Sequence, residues 1–531
     1  MNAAKPDRDL FDGRKVIRRR AWLMLSLVLI ATVAVYAAAW TAHLRWDWTE
    51  NQIYSLSHST RSVLKQIKDP VHIRAYITRG LPQPYGSLRR FIGDMLASYH
   101  DAAPNTVSYQ ILDPSSDPNV AASLAAMNIP RVQVQSIEDD QARIKQGYMA
   151  IVVDYLDKKV TIPVVQSETG FEYNLTSKIK RITGNGRATI GVVGAFGASG
   201  LDQLRRLREL AGDDYQLTAI HPEKRPIDKR ITAVVIAGMR KPPSPQFRYR
   251  LDQFRMQGKG ILVLAGNAVP QLQVGFEVQP VDPYTNDWLT SDLGVVVKPG
   301  LVLDRDASRV VVNRRQGRFM FRSVVDYPFM PAVRDLNEQQ VVTRGLKLLA
   351  MPFVSPLGCV DDNKCTTLMR SSAQSAAQNG PPFDVNPMRD IASRFAGIQQ
   401  SAQLLGVVLS GAAKSAFSAP PVGIGIDTAK SKPITQTDNQ RVMVLGAPAL
   451  LDDDFLDGDN TLFVLNALDW LSGNSDLIDL RSRGVSERPL DKIDSQARAM
   501  WKGIWMFGLP LLVTLLALWR WRRRAVPPVA R

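Results

Sequence analysis

The chain has 531 residues, a formal net charge of +16 at pH 7 and 45% hydrophobic residues, a composition that excludes an intrinsically disordered protein. Residues 1–20 carry a net charge of +4 and residues 520–531 a net charge of +5, so the long middle of the chain is only mildly basic. Basic and aromatic residues do not interleave as they do in a nucleic-acid groove, and we expect no nucleic-acid partner.

The first apolar segment is Ala21–Trp40, twenty residues without a charge. A helix of that length crosses about 30 Å, the thickness of the hydrocarbon core of a bilayer. By the positive-inside rule, the basic tail 1–20 before it stays in the cytoplasm. We therefore expect a membrane-spanning helix over 21–40. The alternative is a cleaved signal peptide, because Ala37-Ala38-Ala39 offers a cleavage site.

Residues 50–168 are predicted to form a mixed α/β lobe. Val71–Thr78 alternates apolar and polar residues, which is typical of a strand. An amphipathic helix, a second strand and a second helix follow, and three further strands joined by polar turns complete the lobe near Val165. This order indicates a compact α/β unit in which helices cover a small sheet.

Residues 169–480 are predicted to form a second, Rossmann-like α/β lobe. The runs RATIGVVGAF, ITAVVIAGM and GILVLAGN are nearly continuous in apolar residues and alternate with helices, which implies a parallel sheet covered on both faces. Between about 271 and 430 the periodicity weakens, and we expect an irregular insertion. Residues 481–502 are expected to connect this lobe to a second apolar segment.

A glycine-rich turn follows the first apolar strand of this second lobe. Gly191, Gly194, Gly197 and Gly200 recur at every third position, which differs from the G-x-G-x-x-G order of a dinucleotide-binding loop. Such a turn can present backbone N–H groups to an anion, which makes Gly194, Gly197 and Ser199 weak candidate binding residues. The alternative is that the glycines only permit a tight turn.

The motifs of several enzyme classes are absent. Gly258-Lys259 has no partner glycine at P-loop spacing, so the chain is not expected to hydrolyse ATP through a P-loop. No G-x-S-x-G elbow and no H-E-x-x-H pair occurs, and we expect no cofactor and no metal. The acidic run Asp452–Asp459 does not fit a calcium loop and precedes a predicted helix, where carboxylates stabilise the positive end of the dipole.

The chain has two cysteines, Cys359 and Cys365. An isolated close pair in an oxidising compartment is typical of a disulfide that closes a small loop. Metal binding is the alternative, but two thiolates without a nearby histidine make a poor site. We therefore predict a disulfide.

The second apolar segment, Gly503–Trp519, is followed by four arginines within five residues. We expect a second membrane-spanning helix here, and a buried soluble helix is the alternative. Basic residues before the first segment and after the second place both termini in the cytoplasm. The predicted localisation is thus the bacterial inner membrane, with two passes, a short tail at 520–531 and the bulk of the chain in the periplasm.

Short stretches along the chain also match a known family in collinear order. They are Ile53–Ser57 with Thr60, Leu175–Ile179, Gly300–Asp304, Ser415–Phe417, Arg441–Gly446 and Asn466–Leu471. Together they resemble the gliding-motility-associated ABC transporter auxiliary proteins, the GldG family. The resemblance implies association with an ABC-2 type permease and a separate ATPase, and an extracytoplasmic module without established chemistry. Where that family often carries a Gly-His-Gly-Glu turn, this chain has Gly194-Ala195-Phe196-Gly197.

Three functional hypotheses follow. The leading one is a non-catalytic auxiliary subunit of an ABC-2 type transport complex, which contacts permease, ATPase, membrane lipid and a substrate or envelope partner. The second is a membrane-anchored periplasmic hydrolase or amidotransferase-like enzyme, for which Ser199 is the candidate nucleophile at a strand-to-helix turn. The third is a structural protein that binds an envelope polymer.

Overall fold

The computed structural model describes residues 22–34, 55–481 and 495–524, with short gaps at 83–84, 128, 139–140, 166, 169, 185, 213, 272–276, 317–318, 423–431, 476 and 479. The chain forms two compact units, Met1–Val485 and Ser486–Arg531. The first unit contains all the described strands, and the described part of the second unit is one long helix. The basic tails predicted at 1–20 and 520–531 and the connector at 481–502 lie largely outside the described residues.

The described helices, numbered in chain order, are α1 (22–34), α2 (His58–Lys65), α3 (Tyr85–Ala102), α4 (Pro118–Ala126), α5 (Phe171–Thr183), α6 (Arg205–Ala211), α7 (Pro245–Met256), α8 (Ile391–Phe395), α9 (Gly458–Leu471) and α10 (Ser495–Arg524). The described strands are β1 (Val71–Ile77), β2 (Val107–Leu112), β3 (Val132–Glu138), β4 (Gln141–Gly147), β5 (Met149–Tyr155), β6 (Lys158–Ile162), β7 (Ala188–Val193), β8 (Tyr215–Ile220), β9 (Ile231–Ala237), β10 (Gly260–Leu264), β11 (Ala268–Pro270), β12 (Val278–Pro280), β13 (Val295–Val297), β14 (Leu301–Asp304), β15 (Ala307–Gln316), β16 (Phe319–Val333), β17 (Asp335–Leu336), β18 (Leu349–Ala350), β19 (Leu357–Cys359), β20 (Thr366–Arg370), β21 (Ser375–Gln378), β22 (Leu404–Lys414) and β23 (Gln436–Leu445).

The first sheet has four strands in the order β2-β1-β5-β6. β1 lies in its centre, parallel to β2 and antiparallel to β5. β1 and β5 are largely buried because helices cover both faces of the sheet, which suits their apolar and β-branched residues. Helices α2, α3 and α5 pack on one face and α4 packs on the other.

Helix α5 belongs to the core of this first sheet. We placed it at the start of the second lobe, but it buries Phe171, Leu175 and Ile179 among the residues of the first core. The chain therefore passes from the first core to the second after α5.

The second sheet has a parallel part in the order β8-β7-β9-β10-β23. Its inner strands β7, β9 and β10 consist largely of Val, Ile, Leu and Ala because α6 and α9 cover one face and α7 covers the other. β22 continues the sheet antiparallel to β23, and β19 and β20 pair with β22. The expected mixed α/β class is therefore confirmed.

The segment 271–430 contains more strands than we expected. It supplies β12 to β22, most of which are two to five residues long and therefore too short to show a clear period. The longest pair, β15 and β16, forms a hairpin in register from Val310 opposite Val325 to Gln316 opposite Phe319. We call residues 307–316 and 319–326 the arm.

The membrane-spanning helices predicted over 21–40 and 503–519 are wrong. Within the described residues, no helix combines enough length with enough apolar character to cross a bilayer. In α10, Lys502 and Arg520 bound an uncharged stretch of 17 residues, about 26 Å long.

The same finding overturns the predicted localisation. The two-pass arrangement in the inner membrane, with both termini cytoplasmic and the bulk periplasmic, depended on those two spanning helices. Part of the first apolar segment, including Ala37-Ala38-Ala39, lies outside the described residues.

Replacing Gly446 with alanine should destabilise the second sheet. A Cβ at this position would lie 2.0 Å from the carbonyl oxygen of Ser355, so the backbone has to move, and we expect a loss of about 3 kcal/mol in the free energy of unfolding. Gly93→Ala in α3 is the control: its Cβ would meet Ile111 Cδ1 at 3.4 Å, and a helical alanine should gain about 0.5–1 kcal/mol. Equal urea midpoints for the two variants would contradict this account.

Candidate functional site

The glycine-rich turn after β7 lies at the carboxyl edge of the parallel sheet. The strand order reverses between β7 and β9, and open α/β sheets bind ligands in the crevice beyond such a point. Gly194, Gly197 and Ser199 all lie in this turn. The structure therefore places the three candidate residues at the position where sheets of this order bind ligands.

Backbone N–H groups of the turn donate to acceptors within the protein. The Ser199 N–H donates to the carbonyl of Ala237 at the end of β9, over 2.8 Å. The Gly200 N–H donates to the side-chain oxygen of Gln203, over 3.3 Å. An anion cradle needs N–H groups that are free to point at the ligand. These contacts favour a packing role for the turn, and anion binding by Gly194, Gly197 and Ser199 stays a prediction.

The glycines allow the turn to pack closely against the loop after β9. Gly197 has φ +78°, and a Cβ on it would lie 3.1 Å from the Cβ of Arg240. Phe196 also has a positive φ, of 56°, and its carbonyl accepts the N–H of Arg240 over 2.9 Å. A Cβ on Gly194 would lie 3.3 Å from the Cα of Gly200. Larger residues would therefore push the two loops apart.

The N-terminus of α6, just beyond the turn, is covered by a carboxylate of the chain itself. Asp453 accepts the N–H of Arg206 over 2.7 Å and lies 3.3 Å from the Nε of Arg205. In many α/β folds a bound phosphate occupies the N-terminus of the helix after the first strand. In this chain Asp453 supplies the negative charge at that point.

Two more charged side chains complete this edge of the sheet. Burial raises the pKa of the Asp452 carboxyl to about 6, the carboxylates of Asp454 and Asp453 act in the same direction, and Arg240 opposes them. The Nε of Arg240 is buried without a hydrogen-bond partner among the described residues. The edge thus holds a carboxyl group that titrates close to neutral pH.

The structure does not assemble a catalytic pair around Ser199. In the described ranges, no hydrogen bond joins the Ser199 hydroxyl to a carboxylate, an imidazole or an amine, whereas nucleophilic catalysis needs such a base. The same ranges contain no group of three or more His, Cys, Asp or Glu residues arranged to hold a metal ion.

A second polar cluster lies where α5, β8 and α9 meet. The guanidinium of Arg481 lies 2.8 Å from the carboxylate of Asp469, donates to the amide oxygen of Asn466 over 2.9 Å and donates to the hydroxyl of Tyr173. The hydroxyl of Tyr215 donates to Asp469. The side chains of Arg481 and Asp469 are only 4% and 3% exposed. One buried ion pair therefore links the last helix of the first core to the second sheet.

Residues behind the family resemblance make contacts of the same kind. Ser57 and Thr60 bind the carboxylate of Glu172 through a backbone N–H at 2.8 Å and a hydroxyl at 2.6 Å. The hydroxyl of Ser415 donates to the carboxylate of Asp252 in α7. These polar residues hold distant parts of the chain together.

Cys359 and Cys365 are joined by a disulfide in the structure, with the Sγ atoms 2.17 Å apart. The bond connects the end of β19 to the start of β20 and encloses a short 3-10 turn, Asp362–Lys364. Both cysteines pack against the core on the α7 side of the second sheet.

Sequence reasoning missed the roles of Arg240, Asp453 and Arg481. Asp453 and Arg206 are 247 positions apart, so no local pattern links them. Two sequence signals were available. One was the acidic run around Asp453, which we assigned to the N-terminus of the helix that follows it, α9. The other was the Asn466–Leu471 stretch, in which Asn466 and Asp469 contact Arg481.

A family model described as an ABC-type uncharacterized transport system matches residues 179–476, more than half of the chain, and a model of a domain of unknown function matches residues 50–154. An uncharacterized protein of Borreliella burgdorferi is 21% identical over 459 residues, which are 83% of this chain and 84% of that protein. A solved structure, the mmIFT52 N-terminal domain, has a TM-score of 0.32 and 13% identity over 53% of this chain and 97% of that chain.

Replacing Asp452 with asparagine should stabilise the protein at neutral pH. The pKa of Asp452 in the folded state, about 6, lies above the ordinary value of about 3.9. Between these two pH values, the folded state therefore holds a proton that the unfolded state has released. The resulting stabilisation is present below about pH 4 and is lost as pH rises through about 6. Because the side chain is partly exposed, we expect Asp452→Asn to gain about 1–2 kcal/mol at pH 7.5 and nothing at pH 4.

The control for this prediction is the neighbouring carboxylate. Asp453→Asn removes the charge at the N-terminus of α6 and should lose about 1 kcal/mol at pH 7.5. Urea unfolding of both variants at the two pH values measures the effect. A gain by Asp452→Asn that is the same at pH 4 and pH 7.5 would rule out the titration.

Replacing Arg481 with methionine should be strongly destabilising. It leaves the carboxylate of Asp469 buried without its partner, which costs about 3–5 kcal/mol. Asp469→Asn in the same chain removes the uncompensated charge and keeps an acceptor for Tyr215, so the double variant should recover at least half of the loss. Urea unfolding of the four proteins in this cycle measures the coupling, and additive losses would contradict it.

Proposed function

Because this chain belongs to the family of ABC-type uncharacterized transport systems, whose model covers residues 179–476, we propose that it acts as a non-catalytic auxiliary component of such a system. The family match is the observation that carries the proposal. It covers the second sheet together with α6, α7 and α9. This family fits an auxiliary role in an ABC transport system.

The contacts at the carboxyl edge of the second sheet support a role in binding partners. Where related sheet orders hold a ligand, the Ser199 and Gly200 N–H groups of this chain donate to internal acceptors, and Asp453 accepts an N–H of α6. N–H groups that already have an acceptor do not point at an anionic substrate. The geometry therefore favours contact through outer surfaces.

The specific partners we propose are an ABC-2 type permease and a separate ATPase subunit, as in the GldG family. The chain has no P-loop, so energy from ATP has to come from another subunit. In this proposal the chain couples permease and ATPase to a substrate or to an envelope partner.

Purification of the tagged full chain from its own cells, lysed in mild detergent, tests the proposal. We expect the permease and the ATPase to co-elute with it in a fixed ratio after size-exclusion chromatography, and mass spectrometry identifies them. Recovery of the chain alone, even after chemical cross-linking, would contradict the proposal.

The Ser199→Ala variant is the matched control for catalysis. It removes the hydroxyl and keeps the backbone N–H that binds Ala237, so the complex and its transport activity should be unchanged. Loss of activity with an intact complex and normal protein levels would favour the enzyme hypothesis.

A further inference from the structure

A cleft of about 620 Å³ lies between the arm and the segment that leads into α9. Arg309 and Arg322 of the arm line one wall, and Asp454 and Asp457 line the other. The two walls therefore carry opposite charges.

The floor of the cleft is aromatic and firmly held. Tyr327 and Phe353 line it, with ring centroids 5.9 Å apart and almost no exposure to solvent. Phe353 has φ +47°, a strained conformation for an aromatic residue. Such strain clusters at binding and functional sites. Asn460 fixes the acidic wall to the floor through two hydrogen bonds with the backbone of Ala350, at 3.1 and 2.8 Å.

Three of the four charged side chains that line the cleft make no ion pair with a described residue. Arg322 is exposed and makes no ion pair with a described residue, and the same holds for Asp454 and Asp457. Asp457 is the N-cap residue of α9, yet its side chain makes no capping hydrogen bond. Arg309 is the exception, because it pairs with Asp326 across the hairpin at 3.2 Å. The cleft thus presents free charges of both signs.

Residues of a strand with a free edge also line the cleft. Arg309, Val310 and Val311 are consecutive residues of β15, and all three line it. Arg322 and Tyr327 of β16 line it as well, so residues of both strands of the hairpin face the cleft. Among the described strands, β15 pairs with β16 alone. Its outer N–H and C=O groups are therefore available to another strand.

We propose that this cleft binds an extended segment of a partner protein, which adds as a strand to the edge of β15. Main-chain hydrogen bonds to β15 supply affinity, and the pockets for side chains supply specificity. The segment carries an acidic side chain opposite Arg322, a basic side chain opposite Asp454 and Asp457, and an apolar or aromatic side chain between them over Tyr327. The inference rests on the proposed function in one respect only, which is that the partner is a subunit of the same transport system.

Site-specific photo-cross-linking in the full chain tests this inference. Val311 is 45% exposed at the strand edge, and a benzophenone amino acid there should cross-link in cells to one short segment of a partner protein, mapped by mass spectrometry. The same amino acid at Leu156, which is 68% exposed in the turn between β5 and β6, is the control. It should give no such product.

Charge reversal tests the role of the walls. Arg322→Glu and Asp457→Lys should each lower the yield of the Val311 cross-link about tenfold, because each places a like charge against the bound segment. Arg90→Glu reverses an exposed charge on α3 and should leave the yield unchanged. Circular dichroism and thermal unfolding confirm that the variants fold.

The outcomes separate this inference from the proposed function. A cross-link only to lipid or to a second copy of this chain, or a yield that neither charge reversal lowers, would overturn the cleft as a docking site for a partner segment. Co-purification of permease and ATPase without any product at Val311 would overturn the cleft and uphold the proposed function. A charge-dependent product with an extended segment of an unrelated protein would uphold the cleft and contradict the proposed function.

Discussion

The arrangement of the two sheets depends on the ion pair between Arg481 and Asp469. Two charges that are removed from water lose hydration free energy. Their mutual attraction and their hydrogen bonds offset this loss only when the geometry of those contacts is good. Tyr173, Tyr215 and Asn466 hydrogen-bond to the pair from α5, β8 and α9, whereas the Nε of Arg481 has no hydrogen-bond partner among the described residues. The pair therefore favours one arrangement of these elements, because its hydrogen bonds are directional and apolar contacts are not.

The same principle explains the carboxyl edge of the second sheet. The turn after β7 has the position of a ligand-binding loop, but its Ser199 and Gly200 N–H groups donate to Ala237 and Gln203, and Asp453 accepts an N–H at the N-terminus of α6. Charged side chains without an ion-pair partner among the described residues lie instead in the cleft beside the arm, which Arg322 and Asp454 line.

The parts of the fold that depend on local pattern were predictable, and the parts that depend on distant contacts were not. The strands Ile231–Ala237 and Gly260–Leu264 could be recognised because both faces are buried and nearly every position is apolar. The contact between Asp453 and Arg206 spans 247 positions, and no periodicity encodes it. The membrane prediction relied on the absence of charge in 21–40, whereas no helix among the described residues is long and apolar enough to cross a bilayer.

The first sheet and its helices begin and end at one place. The N–H of Ser57 binds the carboxylate of Glu172 over 2.8 Å, although 115 positions separate them. Units whose ends adjoin can be inserted, permuted or exchanged with little disturbance to their neighbours. One family model ends at residue 154, before α5, and the other begins at residue 179, inside α5. The first sheet with its helices therefore has the adjoining ends of a unit that a chain can gain, lose or exchange as one piece.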